Sequence, residues 1–242
     1  MDLQNLTIVY RKAFGDEAPL PIAFGYSLKP EAEVVHQPRC MIGAISKVRH
    51  GQPLTLSADN VTCGGGGLYT AFKPMPERVP IFVSETEHYK QKPEMVKSFI
   101  ADMDIQPAEK PYLNFVRLDH LKSLDEVEGI ICFATPDRLS GLCAWAFYDN
   151  NDPLAVSTPF GSGCSSIITQ AVRENRRHGR SCFIGLLDPS ARLLVPADEL
   201  TFVIPTCRLV EMMQTIEHSA LFQKAYTLVR KRINGQIPAR EA

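Results

Sequence analysis

Two short segments of the sequence combine a cysteine with glycines, an arrangement that can place a thiol beside bare main chain. In the first, Cys63 is followed directly by Gly64, Gly65, Gly66 and Gly67. An ordered glycine costs about 0.5–1 kcal/mol more than alanine in a regular element. Such a run is therefore typical of a place where the backbone passes very close to another group, and we expect that group to be a ligand.

The chemistry that this first segment predicts is that of an activated thiol. Backbone N–H groups that converge on a sulfur lower the pKa of the thiol and can hold an anion or a developing oxyanion. We therefore expect Cys63 to be a nucleophile or redox thiol if the protein is catalytic. The glycines at residues 64–67 would then bind a small anionic ligand or an organic cofactor. The alternative is that Cys63 is a small buried residue at a tight turn.

The second segment consists of Gly161, Ser162, Gly163, Cys164 and Ser165, and a helical apolar pattern follows it. At the start of a helix, free N–H groups and the helix dipole favour a thiolate, a phosphate or a carboxylate. These five residues are therefore predicted to bind the same ligand or cofactor, whose identity stays unknown. A Rossmann site is disfavoured because the pattern ends in serine and no suitable acidic residue follows. Close packing of the turn is the other alternative.

A metal or iron–sulfur site is the competing hypothesis, and it would use Cys40, Cys63 and Cys164 with His36 as a further candidate ligand. None of these residues has the short spacing of a zinc ribbon or a ferredoxin, so only the fold could bring them together. The seven cysteines include no C-x-x-C pair and lie mostly in apolar segments. This pattern favours reduced thiols in the core and no disulfide framework.

Other catalytic motifs are missing from the sequence. No lysine follows either glycine run as a P-loop would require, and no G-x-S-x-G nucleophile elbow occurs. Whether the protein is an enzyme therefore stays open. A structural role in a homo-oligomer, in which the glycines allow close packing, is a third possibility.

The composition is that of a soluble globular protein. Hydrophobic residues make up 45% and charged residues 22% of the 242 positions, which is ordinary for a folded domain of this size. The formal net charge of −1 offers no overall positive field to attract nucleic acid or an anionic membrane. The N-terminus does not resemble a signal peptide, and no apolar run reaches the roughly 18–20 residues of a membrane span. We expect a cytoplasmic protein whose partner is a small molecule.

The hydrophobic pattern predicts strands and helices in alternation. Strands are predicted at residues 19–26, 54–56, 81–83, 112–118, 129–134, 154–157, 182–187 and 200–204. Helices are predicted to begin near residues 3, 41, 93, 123, 136, 164, 206 and 219. This alternation favours an α/β or α+β fold in which a mixed sheet is flanked by helices. The apolar run at residues 129–134 is typical of a strand covered on both faces.

A polar, proline-containing stretch at residues 104–111 predicts two halves, residues 1–105 with the Cys63 segment and residues 106–242 with the Cys164 segment and the C-terminal helices. A similar strand precedes each cysteine, at residues 54–57 and 154–157. If this is an internal repeat, two pseudo-symmetric halves would turn their cysteine segments towards one central cleft. Chance similarity between short apolar strands is the alternative.

The sequence also resembles a known family in four motifs. They are R-C-M-I-G around Cys40, C-G-G-G-G-L-Y from Cys63, G-S-G-C-S-S around Cys164 and the late segment L-T-F-V-I-P. The family is domain of unknown function 169, and the resemblance extends over residues 5–235. It implies a soluble prokaryotic protein and supplies no catalytic residues.

Overall fold

The computed structural model describes residues 3–34 and 40–238, and these residues form a seven-stranded sheet covered by helices. The strands are β1 (Ile22–Ser27), β2 (Leu54–Leu56), β3 (Tyr112–Arg117), β4 (Gly129–Ala134), β5 (Val156–Ser157), β6 (Cys182–Gly185) and β7 (Leu200–Pro205). Their order in the sheet is β2-β3-β1-β4-β7-β6-β5. β5 and β6 are parallel, and the other pairs in this sheet are antiparallel. The sheet is therefore mixed, as predicted, and the fold is α+β.

Helices cover both faces of the sheet. They are α1 (Leu3–Phe14), α2 (Met41–Lys47), α3 (Gly64–Tyr69), α4 (Val79–Ile81), α5 (Pro93–Asp102), α6 (Pro136–Tyr148), α7 (Gln170–Arg176), α8 (Pro189–Arg192), α9 (Thr206–Thr215) and α10 (Lys224–Ile233). Two π-helical turns extend this set, Phe82–Thr86 after α4 and Ser165–Thr169 before α7. Among the described residues, no helix is long and apolar enough to cross a membrane.

Two hydrophobic cores form, one on each face of the sheet. One core is packed by α2, α3, α5 and α7, and we call this side the irregular face because both π-turns lie on it. The other core is packed by α1, α6, α9 and α10, and we call this side the regular face. β4 serves both cores, since Ile131 and Phe133 belong to the first while Ile130 and Cys132 belong to the second. The prediction that residues 129–134 are covered on both faces is thus confirmed.

A buried arginine joins two helices on the regular face. The side chain of Arg208, in α9, is fully buried and donates hydrogen bonds to Asp149, to Glu211 and to the carbonyl oxygen of Ala146. The Arg208 bond to Glu211 measures 2.8 Å, and the one to Ala146 measures 3.0 Å. A buried charge is tolerated only when it is paired and hydrogen-bonded, and this network supplies both conditions at the end of α6.

Most predicted elements are confirmed, and the errors concern short segments. The seven observed strands fall within or next to predicted ones. The remaining predicted strand, at residues 81–83, is wrong because α4 and its π-turn occupy this position. Pro80 stands in the first turn of that helix, where its missing N–H costs nothing, and the Ser84 hydroxyl donates to the Pro80 carbonyl at 2.7 Å. No helix follows Ser123, whose hydroxyl instead accepts the N–H of Asp125 within a turn.

The predicted division into two halves stays a prediction. β3, from the second half, lies between β1 and β2 of the first. The strands of the suggested repeat, β2 and β5, lie at opposite edges of the sheet, where β2 runs antiparallel to its neighbour and β5 runs parallel. Pseudo-symmetry between the halves is therefore not shown.

Candidate functional site

The two cysteine segments meet at a cavity of about 210 Å³ on the irregular face. Cys63 and Gly65 line it from the first segment, and Gly161 and Ser162 line it from the second. The positions are about a hundred residues apart in the chain, so the sheet and its helices must be complete before this cavity exists.

The glycine run forms a helix and is not a glycine-rich loop or turn. α3 begins directly after Cys63, and the Gly67 N–H donates to the Cys63 carbonyl at 2.8 Å. Two of the glycines are closely approached by neighbouring side chains: a Cβ added to Gly66 would lie 2.5 Å from Met41 Cε, and one added to Gly67 would lie 3.0 Å from Lys73 Cδ. Part of the run therefore serves close contact within the protein.

Gly65 is the member of the run that borders the cavity. A Cβ added there would lie 3.8 Å from the nearest atom, a ring carbon of Tyr69, which is an ordinary van der Waals distance. One added to Gly64 would lie 3.2 Å from Pro76. The missing side chain of Gly65 thus adds open volume to the cavity without being required by packing.

The second segment is held by hydrogen bonds and close packing. The Ser165 hydroxyl donates to the Ser162 carbonyl at 2.8 Å, and the Gly163 N–H donates to the carboxylate of Asp188. A Cβ at Gly163 would lie 3.0 Å from Leu186 and 3.1 Å from Ala191. Gly163, Cys164 and Ser165 are buried and do not belong to the residues that line the cavity. Their predicted role in binding stays a prediction.

Five of the sixteen residues that line the cavity are aromatic, and this aromatic wall was not predicted. Its aromatic side chains are Tyr69, Phe82, Tyr89, Phe99 and Phe160. The rings of Tyr89 and Phe160 meet edge to face with centroids 6.2 Å apart, and the Lys90 Nζ lies 4.5 Å from the centroid of the Phe99 ring. In the sequence these residues look like ordinary core residues. Pro80 was the available signal that Phe82 follows the start of a helix, because a proline is favoured in the first turn of a helix.

Asp188 connects the second cysteine segment to α8. Its carboxylate is buried and also accepts hydrogen bonds from the Ala191 N–H at 2.6 Å and the Ser190 hydroxyl at 3.0 Å. Burial, and then the nearby charge of Asp188, raise the pKa of Glu87, which also lines the cavity. Lys90 is the cation among the lining residues.

A family model described as uncharacterised ArCR, DUF169, matches residues 9–215. The chain belongs to the DUF169 family. The resemblance found in the cysteine motifs is thereby confirmed, and the matched range includes the whole lining of the cavity in this DUF169 chain. Comparisons with curated proteins and with solved structures gave no match.

The three candidate cysteines of the DUF169 chain differ in their exposure. Cys63 is exposed, Cys40 is half-buried and Cys164 is buried. Cys40 and Cys63 both act electrostatically on the Cys164 thiol. The Cys164 side chain lowers the pKa of Cys40 to about 7, whereas Cys40 and burial raise the pKa of Cys164.

The competing metal hypothesis gains no support from this arrangement. Within residues 3–34 and 40–238, no group of three or more His, Cys, Asp or Glu side chains is placed to hold a metal ion. His36, a candidate ligand, lies outside the described residues. What the site offers instead is a cavity with aromatic side chains and an exposed thiol at its wall.

Proposed function

We propose that this DUF169 protein binds a small ring-containing organic molecule in the cavity between the Cys63 and Cys164 segments. The observation that carries the proposal is the cavity wall, where aromatic side chains from α3, the α4 region, α5 and the loop before Gly161 surround one open volume. Binding sites for small organic molecules are typically concave and apolar, with a few polar groups that fix orientation. The polar groups here include Glu87, Lys90, Ser162 and Ser190.

The volume limits the size of the ligand. The cavity of about 210 Å³ is larger than an engineered cavity of about 150 Å³ that binds benzene. It is smaller than the roughly 300–1,000 Å³ of sites for drug-sized ligands. The ligand is therefore a single ring with a few substituents, and a dinucleotide is too large for it.

The charges at the wall do not select an anion. Lys90 would pair with a carboxylate or phosphate, but Glu87 and Asp188 border the same volume. The three hydrogen bonds that Asp188 accepts from its own neighbours occupy much of its capacity. Lys90 and Glu87 are then the charged groups most available to a ligand. The sequence predicted an anionic ligand, and cationic and neutral ligands must be tested beside it.

Thiol chemistry at Cys63 is a second candidate function, favoured by one observation. The Cys63 side chain is exposed and borders the cavity, so a bound molecule would lie beside its sulfur. A thiolate is the nucleophile in such chemistry. An electrophilic ring compound that binds in the cavity should alkylate Cys63 faster than it alkylates Cys143.

The binding proposal is tested with benzoate, benzylamine and benzyl alcohol as anionic, cationic and neutral probes. Ligand-detected NMR reports binding, and slower alkylation of Cys63 by iodoacetamide in the presence of a probe locates it. The key variant is Gly65→Val, whose side chain would enter the cavity. Gly43→Val is the matched control, because a Cβ at Gly43 also finds its nearest atom at 3.8 Å but does not border the cavity.

We expect at least one probe to bind and to protect Cys63 in the wild type and in Gly43→Val, and to do neither in Gly65→Val. Circular dichroism and thermal unfolding would establish that both variants are folded. Failure of all three probes to bind the wild-type protein would overturn the proposal. So would undiminished binding by a folded Gly65→Val protein.

A further inference from the structure

A positive charge of the protein itself lies against the aromatic wall of the cavity. The Nζ of Lys90 lies 4.5 Å from the centroid of the Phe99 ring, and both residues line the cavity. This distance is within the roughly 6 Å over which the negative face of an aromatic ring attracts an ammonium group. This part of the wall is therefore a surface on which an ammonium group is stabilised.

Other rings of the wall are open to a bound molecule. Phe82 is 48% exposed and Phe160 is 44% exposed, although phenylalanine is among the side chains that proteins bury most often. The Phe160 ring meets Tyr89 edge to face, and this contact joins the segment after α4 to the loop before Gly161. Accessible rings thus come from two separate segments of the chain.

The charged side chains that line the cavity are Glu87, Lys90 and Asp188, so carboxylates outnumber the ammonium group by two to one. Among the described residues, no ion pair joins Lys90 to either carboxylate. The N–H groups of Gly163 and Ala191 donate to Asp188 and hold its carboxylate in place. The wall as a whole therefore carries an excess of negative charge beside its rings.

We propose, on the basis of the binding function proposed above, that the ligand of this cavity is a small organic cation, a single ring that bears a protonated amine or a quaternary ammonium group. The ammonium group lies against the ring faces and is balanced by the Glu87 carboxylate. The rest of the ligand fills the open volume beside Gly65. Recognition of a cation by several aromatic rings is an established use of the cation–π interaction.

The same wall disfavours a ligand of the opposite charge. An anion would be attracted by Lys90 but repelled by Glu87, by Asp188 and by the negative faces of the rings. A cation reverses each of these contributions, and the flexible, partly exposed side chain of Lys90 can turn towards solvent. A positive charge beside Glu87 would also offset the burial and the Asp188 charge that raise the pKa of this carboxyl group.

The test compares benzylamine, benzyl alcohol and benzoate, which share one ring and differ in charge at neutral pH. Dissociation constants for the wild-type protein at pH 7 are measured by ligand-detected NMR titration. We expect benzylamine to bind at least about tenfold more tightly than benzyl alcohol, and benzoate to bind more weakly than either. Raising sodium chloride from about 20 mM to about 500 mM should weaken the binding of benzylamine and leave that of benzyl alcohol nearly unchanged.

The key variant is Glu87→Gln, which keeps the shape of the side chain and removes its charge. Glu85→Gln is the matched control, because Glu85 is exposed, lies two residues earlier and does not line the cavity. The preference for benzylamine over benzyl alcohol should fall to about threefold or less in Glu87→Gln and persist in Glu85→Gln. Lys90→Gln should strengthen the binding of benzylamine, whereas Lys92→Gln, at an exposed position outside the lining, should not.

The possible failures are distinguishable. If benzyl alcohol or benzoate binds the wild-type protein as tightly as benzylamine, the cationic ligand is overturned and binding in the cavity still stands. If none of the three probes binds, both proposals are overturned. An unchanged preference for benzylamine in a folded Glu87→Gln protein would also overturn the cation site, because its charge is placed beside Glu87. The first two results are read from the wild-type chain, so they hold even if a variant fails to fold.

Discussion

The regular face of the sheet is packed by helices of 10–13 residues, whereas helices of 3–10 residues and two π-turns lie along the irregular face. The long helices bury large side chains such as Trp145, whose indole N–H donates to the Met212 carbonyl at 3.0 Å. The short ones leave the cavity that aromatic side chains and Cys63 border. In this protein, continuous helices accompany dense packing, and interrupted helices accompany the groups that can bind or react.

The cysteines of the two faces show the same difference. Cys132 and Cys182 lie in the core of the regular face, where burial raises the pKa of both thiols, that of Cys132 to about 12. On the irregular face, the Cys164 side chain lowers the pKa of Cys40. A cysteine is thus a small apolar residue on one face and a candidate reactive group on the other.

The largest effect on stability is expected on the regular face, for Arg208→Ala. This change leaves Asp149 and Glu211 with only the more exposed Arg180 as a cationic partner and creates a void in a fully buried position. Removing one member of a buried ion pair costs about 3–5 kcal/mol, and urea unfolding should show a loss of this size. The control is Arg232→Ala, which breaks a solvent-exposed ion pair with Asp137. A similar loss in both variants would contradict the importance of burial.

The next largest effect is expected for Gly141→Ala, also on the regular face. The added Cβ would lie 2.6 Å from the hydroxyl oxygen of Tyr226 and closer still to two of its ring carbons. A rigid ring cannot move aside as a flexible chain can, so we expect a loss of about 1–3 kcal/mol in the free energy of unfolding. Stability equal to that of the wild type would show that α10 can shift away from α6.

A smaller effect is expected when the pH is lowered. The hydrogen bond from Arg208 lowers the pKa of Asp149 below its usual value. The stabilisation is therefore complete above the unfolded-state pKa of about 3.9 and is lost as the pH falls through the lower folded-state pKa. Urea unfolding between pH 2 and pH 6 should show less acid sensitivity in Asp149→Asn than in the wild type. Identical slopes would contradict this contribution.

The smallest effect, with the opposite sign, is expected for Gly65→Ala on the irregular face. The added methyl group would meet only ordinary contacts, and alanine favours a helix over glycine by about 0.8–1.0 kcal/mol. We expect a gain of this size or less, seen as a rise of about 2–4 °C in the melting temperature. A loss of stability would mean that the cavity wall is packed more tightly than its open volume indicates.

The strands could be predicted from local patterns, because they are continuous apolar runs bounded by polar residues. β2 and β4 even end where the pattern placed them. The helical state of the glycine run could not be predicted, since each glycine disfavours a helix by about 1 kcal/mol relative to alanine. Met41 and Lys73 pack closely against the run, and those neighbours are known only once the chain is folded.

Of the candidate site, the sequence identified the two cysteine segments but not their surroundings. The second segment packs against α2, where a Cβ added to Gly163 would lie 3.2 Å from Ile42, and spacing in the sequence does not encode this packing. Phe82, Phe99 and Phe160 border an open volume, yet they have the same residue type as Phe24 and Phe115 in the solid core. Local patterns distinguish buried from exposed residues, and they do not distinguish a packed wall from one that faces a cavity.

The two edges of the sheet have a consequence for how molecules of this protein meet. β2 offers three residues and β5 offers two as edge strands. Short edges present few unpaired N–H and C=O groups to a second chain, which is one way in which proteins resist edge-to-edge aggregation. Pairing of two copies through these sheet edges is therefore disfavoured.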